Sequence, residues 1–211
     1  MLAAELGEKK EDILGVDLAF ADVAPSTLAG SDDEFVFAPR LDNLGSSHAA
    51  TEALVRSLAT PSAATRLIAL YDHEECGSKT MAGAAGSVLR DTIARVLEAH
   101  PDRQPQAMAR AMNRSLLVSA DMAHAIHPNY PDQHEPQHTP QLNRGLVIKS
   151  NSNQSYATDG ATAAEFELFC AGAGFAPQRF VTRSDLPCGS TIGPITAAEL
   201  GVATVDVGAP C

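Results

Sequence analysis

Leu70-Tyr71-Asp72-His73-Glu74-Glu75-Cys76-Gly77-Ser78 joins an apolar run of β type, residues 66–71, to a Gly turn and an Ala-rich, helix-forming segment. In α/β proteins the carboxyl ends of strands are where ligands sit. Two carboxylates adjacent at such an end point in different directions and can do different jobs. One of Glu74 and Glu75 can bind a metal while the other stays free as a general base.

Outward from this stretch, apolar alternation and short apolar runs predict strands over residues 17–23, 35–37, 66–71, 115–120, 146–148, 179–182 and 203–207. Helical spacing predicts helices over 2–6 (stopped at Gly7), 43–58, 78–98, 104–112, 162–171 and 195–200. Residues 24–33, with Pro25, Ser26, Gly30 and Ser31, read as a loop and a candidate domain junction. Residues 122–145 are rich in His, Pro, Asn and Gln without periodicity, and an unstructured loop of that length inside a domain is usually functional. Strands alternating with helices place the chain among α/β sheets with helices on both faces.

A chain of 211 residues is long enough for one sizeable domain with a buried core. Its net charge of -11 argues against a nucleic-acid footprint and against docking on anionic membrane. No apolar run is long enough to span a bilayer, and the first ten residues lack the basic start and apolar core of a signal peptide. Four Cys without CxxC spacing (Cys76, Cys170, Cys188, Cys211) point to reduced thiols and a cytoplasmic setting.

Three acidic positions share one pattern. Asp42 follows Pro39-Arg40-Leu41 and precedes a helix, Glu74 and Glu75 follow a strand, and Asp121 follows another. Any one of them alone could simply cap a helix or end a strand in solvent. If the strands are parallel neighbours, all four carboxylates converge at one edge of the sheet. Like charges packed together repel and raise each other's pKa unless a cation is present, so one or two divalent metals are the natural solution.

The chain resembles the aspartyl aminopeptidase family of dinuclear zinc exopeptidases. The motifs that carry the resemblance are PRLDNL (39–44), LYDHEECGS (70–78), SADMAHAIHPNYPDQHE (119–135), IKSNSNQSYA (148–157) and DLPCGSTIGP (185–194). They occur in family order across essentially the whole chain. The resemblance implies a three-layer α/β/α sandwich of the zinc-exopeptidase type with a mostly parallel mixed sheet, here incomplete. It implies removal of N-terminal Asp or Glu from peptides through two Zn2+, with Mn2+ or Co2+ as alternatives. Asp42 would bridge the metals, Glu75 would bind one and Asp121 the other, and Glu74 would be the general base for the attacking water. Lys149 would pair with the acidic substrate side chain, with Tyr156, Gly189 and Ser190 lining the same pocket. His124 and His127 would contact substrate or support the metal shell, or else only stabilise their loop. His134 and His138 read as solvent-facing or at a subunit contact, and His73 as turned away from Glu74.

Two family features fall outside the chain, a His ligand upstream and another just beyond Gly208-Ala209-Pro210, so each metal is expected to lack its His. Residues 1–30 resemble a remnant of the inserted dimerisation domain and its return linker, and residues 31–211 a partial catalytic domain. The expectation is an impaired aminopeptidase whose full-length form is a homo-oligomer. The alternative is a catalytically inactive homologue that serves only as an assembly partner, or a non-functional fragment. Other chemistries find less support. Gly83-Ala84-Ala85-Gly86 lacks both GxGxxG and a Walker Lys-Ser/Thr. Thiol catalysis at Cys76 or Cys188 has no evident His partner.

Overall fold

The computed structural model describes all 211 residues, which divide into two compact units, residues 1–40 and 41–211. The first unit opens with a helix, α1 (Leu2–Leu6), ended by Gly7 at φ 70 as its sequence predicts. Residues 17–23, expected as a strand, join no sheet, and Leu18 (80%) and Phe20 (109%) are exposed. The period-2 alternation is present, but a strand is completed by a neighbour's N–H and C=O groups, and none pairs with it here. Instead β1 (Thr27–Ala29) pairs antiparallel with β2 (Phe35–Phe37), in the register Thr27↔Phe37. The expected loop over 24–33 therefore contains half of a hairpin.

The second unit begins with α2 (Leu41–Ser57), whose backbone leaves helical geometry at Asp42 and Asn43. Next come α3 (Val88–Ala99), α4 (Ala107–Met112) and β3 (Leu116–Ala120). They are followed by β4 (Val147–Ser150), α5 (Gly160–Gly172), β5 (Gln178–Val181), α6 (Ile192–Leu200) and β6 (Ala203–Gly208). The sheet order is β3-β6-β4-β5. The β3–β6 and β4–β5 pairs are parallel and β4–β6 is antiparallel, so this is an α/β fold with a mostly parallel mixed sheet. No helix is long and apolar enough to cross a membrane.

Two expected elements differ. Residues 66–71 form no ladder, with Leu67 46% and Leu70 61% exposed. The run has strand composition, but β3, at the sheet edge, does not pair with it. The helix expected over 78–98 starts only at Val88, because Gly83 and Gly86 serve a compact turn. A Cβ on Gly83 would lie 2.4 Å from the Ser78 carbonyl oxygen, and one on Gly86 2.3 Å from that of Met81. Backbone bonds from Ala85 to Ser78 (3.1 Å) and from Gly86 to Gly83 (2.9 Å) close that turn.

The core forms where α5 lies on the sheet. Asp159 caps the helix, its Oδ1 accepting from the Ala161 and Thr162 N–H groups at 2.9 and 2.8 Å, and the Thr162 hydroxyl accepts from the Asp159 N–H at 3.0 Å. This reciprocal cap fixes the helix start, and Ala163, Phe166 and Cys170, spaced by three and four, then face one way. They pack with Ile148, Val205 and Val207, all nearly solvent-free. Phe166 is 8% exposed while its helical neighbour Phe169 is 54% exposed. Phe166→Ala is therefore expected to destabilise the chain by about 3–5 kcal/mol through a cavity. Phe169→Ala should cost less than about 1 kcal/mol, a contrast that urea unfolding of the two variants measures.

Candidate active site

The acidic residues are brought together by backbone pairing that runs past the strand ends. Beyond β3, the Asp121 N–H donates to the Val207 carbonyl at 3.0 Å, and Ala123 N–H to Ala209 at 2.9 Å. A Cβ on Gly208 would fall 2.0 Å from the Asp121 carbonyl oxygen, so only glycine lets the two chains close up at this point. On the other side, the Asn43 side-chain amide donates to the Ala120 carbonyl at 2.8 Å. The Ser46 hydroxyl meets the Met122 sulfur at 3.6 Å. The start of α2 is thus fastened to the end of β3, and this sets Asp42 beside Asp121. The Asp42 pKa rises through burial first, then through the neighbouring charges of Asp121 and Glu75.

Glu74 and Glu75 lie in a single 3-10 turn, Glu74–Cys76, rather than on a strand end. The turn is framed by His73 at φ 59 and Gly77 at φ 98. Ser78 N–H donates to the His73 carbonyl and Gly77 N–H to that of Glu74, both at 2.9 Å, while Asp72 N–H reaches Ala82 at 3.0 Å. The His73 ring is engaged by the Thr80 hydroxyl at 2.8 Å, so it holds the loop shut. Within this frame Glu74 is half-buried and Glu75 exposed. Burial raises the Glu74 pKa, the charges of Asp121, Glu75 and Asp42 raise it further, and Lys149 opposes them. All four sequence-predicted acids therefore act on one another.

Lys149 is 3% exposed. Its ammonium donates to Asp121 Oδ2 at 3.2 Å and to the Met122 carbonyl at 2.7 Å, and it stands 5.6 Å from the centre of the Tyr156 ring. Tyr156 is buried edge-on against Phe180, with centroids 6.2 Å apart. Burial pushes its phenol well above the ordinary tyrosine value, with the Cys188 thiol beside it as the next cause. Gly189 and Ser190 follow Cys188 in an exposed loop. His124 is exposed, and His127 is exposed with its ring tilted 42° against that of Tyr130 at 5.1 Å.

His134, expected to face solvent or a subunit contact, is 7% exposed within this chain, because its ring packs edge-on against Phe180 at 6.2 Å. Burial and the nearby His124 lower its pKa. His138 is half-buried and contacts Glu135 at 2.5 Å. The residue that sequence reading missed is Asp206, a fully buried acid in the middle of β6. Its only signal was an acid inside the apolar run 202–207.

The donor set suits a divalent cation in its chemistry: hard carboxylate oxygens carrying more negative charge than Lys149 balances. No His is among the charges acting on Asp42 or Glu74, and no three His, Cys, Asp or Glu side chains stand close enough together to enclose an ion. The residues present fit the charge of a divalent-metal shell and supply only part of its enclosure.

The family described as Aminopeptidase I zinc metalloprotease (M18) matches residues 1–211. The Ricinus communis protein named "Probable aspartyl aminopeptidase" is 44% identical over 215 residues, covering 100% of this chain and 44% of its own length. The chain thus spans just under half of that curated relative. A solved structure of the Ape4 and Nbr1 complex superposes with a TM-score of 0.86 at 42% identity, over 90% of this chain and 36% of the other. That of the S. cerevisiae mApe1 dodecamer gives 0.77 at 32% identity, over 89% and 42%.

The raised Asp42 and Glu74 values carry a sign for stability. A carboxyl group whose folded pKa lies above its unfolded value stabilises the fold below the unfolded value, and that contribution is lost as pH rises through the folded one. In chelator, Asp42→Asn should therefore gain thermal stability relative to the parent chain as pH rises from about 4 to about 7.5, the range over which carboxyl groups lose their protons. Melting curves of both proteins across that range test this, and a relative loss for Asp42→Asn at the higher pH contradicts it.

Proposed function

We infer that this chain, which belongs to the M18 family of aminopeptidase I zinc metalloproteases, carries part of the active site of a metallo-aminopeptidase that removes N-terminal Asp or Glu from peptides. The observation that supports this reading most is the meeting of Asp42, Glu74, Glu75 and Asp121, whose charges raise the Asp42 and Glu74 pKa values. Asp42 would bridge two zinc ions, with Glu75 a ligand to one and Asp121 to the other. Bound there, the ions supply Lewis-acid activation of water and of the scissile carbonyl.

Glu74 takes the proton from the attacking water and returns it to the leaving amine. Its raised pKa suits that task, because a general base works best when its pKa approaches the working pH. Lys149 recognises the acidic substrate side chain. Its ammonium, beside Asp121 and Tyr156, would meet a substrate carboxylate in a pocket lined by Tyr156, Gly189 and Ser190. His124 and His127, at the mouth of the loop after Asp121, orient the peptide.

Residues 1–30 are read as the remnant of a dimerisation domain and residues 31–211 as the partial catalytic domain of a homo-oligomer, consistent with the dodecameric relative. A cytoplasmic location is consistent with four unpaired cysteines. That no three His, Cys, Asp or Glu side chains stand close enough together to enclose an ion favours a second reading, in which the chain is an inactive homologue that acts only as an assembly partner or is a non-functional fragment.

Hydrolysis of aspartyl and alanyl amides by the chain with added zinc separates these readings. The aminopeptidase reading predicts weak but measurable turnover of the aspartyl amide, lost in Glu74→Gln. Lys149→Ala should lower kcat/KM for the aspartyl amide by at least about tenfold more than for the alanyl amide, as removal of a charge partner does. No turnover in the parent chain supports the second reading, and equal losses on both amides remove Lys149 from recognition.

A further inference from the structure

Asp206 is completely buried and is not among the charges acting on Asp42 or Glu74. It lies in β6, opposite Ser119 of β3, between the core residues Val205 and Val207. Packing alone gives no reason for an acid there, since a buried carboxylate is costly unless its oxygens are bonded. Its bonds go to two loops that are remote in sequence. Oδ2 accepts from the Ala157 N–H at 2.6 Å, and Oδ1 accepts from the Thr191 hydroxyl at 2.7 Å. The Asp206 N–H donates to the Thr158 hydroxyl at 2.8 Å.

The surroundings are shaped around this carboxylate. A Cβ on Gly193, in the first turn of α6, would fall 2.2 Å from Asp206 Oδ1, so glycine lets the acid press against the helix backbone. Thr191 caps that helix, accepting from the Gly193 N–H at 3.3 Å while its hydroxyl donates to Asp206. Ala157 directly follows Tyr156, and Thr191 directly follows Gly189-Ser190. These are the residues read above as two walls of the substrate pocket, and Lys149 sits in β4, the neighbour of β6 in the sheet.

We propose that Asp206 is a positioning residue of this pocket, its carboxylate holding the segment after Tyr156 and the turn before Thr191 against the central strand so that both walls keep their distance from Lys149. The proposal rests on the aminopeptidase reading for the pocket's purpose, while the clamp itself stands on the geometry. It acts on substrate binding more than on the chemical step, because none of the proposed proton-transfer groups touches it.

Asp206→Asn tests the clamp in the 211-residue chain. The amide keeps the side chain's shape and its oxygen can still accept from Thr191, but its NH2 then faces the Ala157 N–H. Amide-resolved hydrogen exchange should show Ala157 exchanging at least about tenfold faster, with Val205 and Val207 unchanged, as local opening without global unfolding requires. With zinc and an aspartyl amide, KM should rise about tenfold while kcat stays within about twofold, the mark of lost binding in both ground and transition states. Unchanged Ala157 exchange overturns the proposal. So does faster exchange throughout β6 with kcat falling as far as kcat/KM, which marks a merely structural role. If Asp206→Asn does not fold, Thr191→Val and Thr191→Ser replace it. Only the Val variant, which lacks the hydroxyl, should speed exchange in residues 189–193, and equal behaviour of the two overturns the clamp. Absence of turnover in the parent chain counts against the aminopeptidase reading alone, and exchange then decides the clamp by itself.

Discussion

Repulsion among the carboxylates gathered at the end of β3 is the constraint on which the site depends. Two like charges about 4 Å apart near a protein surface repel by about 4 kcal/mol, a large share of the roughly 5–15 kcal/mol that holds an ordinary domain together. Three features hold this arrangement in place. Lys149, buried and bonded to Asp121, supplies a local positive charge. Burial and the neighbouring negative charges favour protonation of Asp42 and Glu74. The backbone tolerates the crowding because it is tied from both sides, by Asn43 to Ala120 and by Asp121 to Val207. A cation at this point would relieve the same repulsion, which is why the fold and the proposed chemistry meet at one place.

In the second unit this site lies where the chain leaves β3 and β6. Parallel pairing of β3 with β6 aligns Asp121 with the Gly208 end of the central strand. The antiparallel β4 brings Lys149 to the same end from the opposite direction, through the register Ile148↔Val207. The mixed sheet therefore does chemical work by putting an ammonium from β4 beside an acid that follows β3. Asp206, two residues before Gly208, applies the same economy to the loops behind Lys149.

Elements that complete themselves locally were legible in the sequence. The helix expected over 162–171 is α5 to within two residues, Gly7 ends α1, and the apolar runs at β3 and β6 are read to within a residue or two. Elements that need a partner were not. Residues 17–23 and 66–71 have strand composition, but strand formation is a property of two segments, and neither finds a second. The late start of α3 was hidden because Gly83 and Gly86 look merely unfavourable for a helix until their contacts with the Ser78 and Met81 carbonyls are known. In the site, Asp121 could be named from its strand-end position, Asp42 from its place before a helix, and Glu74 and Glu75 from an apolar run that pairs with no strand. The burial of His134 against Phe180 and the bonds of Asp206 depend on contacts between residues 15 to 49 positions apart, and no periodicity reports those.

The central claim is that the four acids act as one cation site. It is tested most directly by calorimetric titration of the chelator-stripped chain with Zn2+, beside Asp121→Asn and Glu75→Gln. One shared site predicts binding in the parent chain that falls at least about tenfold in each variant, as loss of a ligand does. It also predicts weaker binding at lower pH, because the ligands must first lose their protons. Zinc affinity equal in all three proteins, or no binding by the parent chain at any pH where it remains folded, would contradict it.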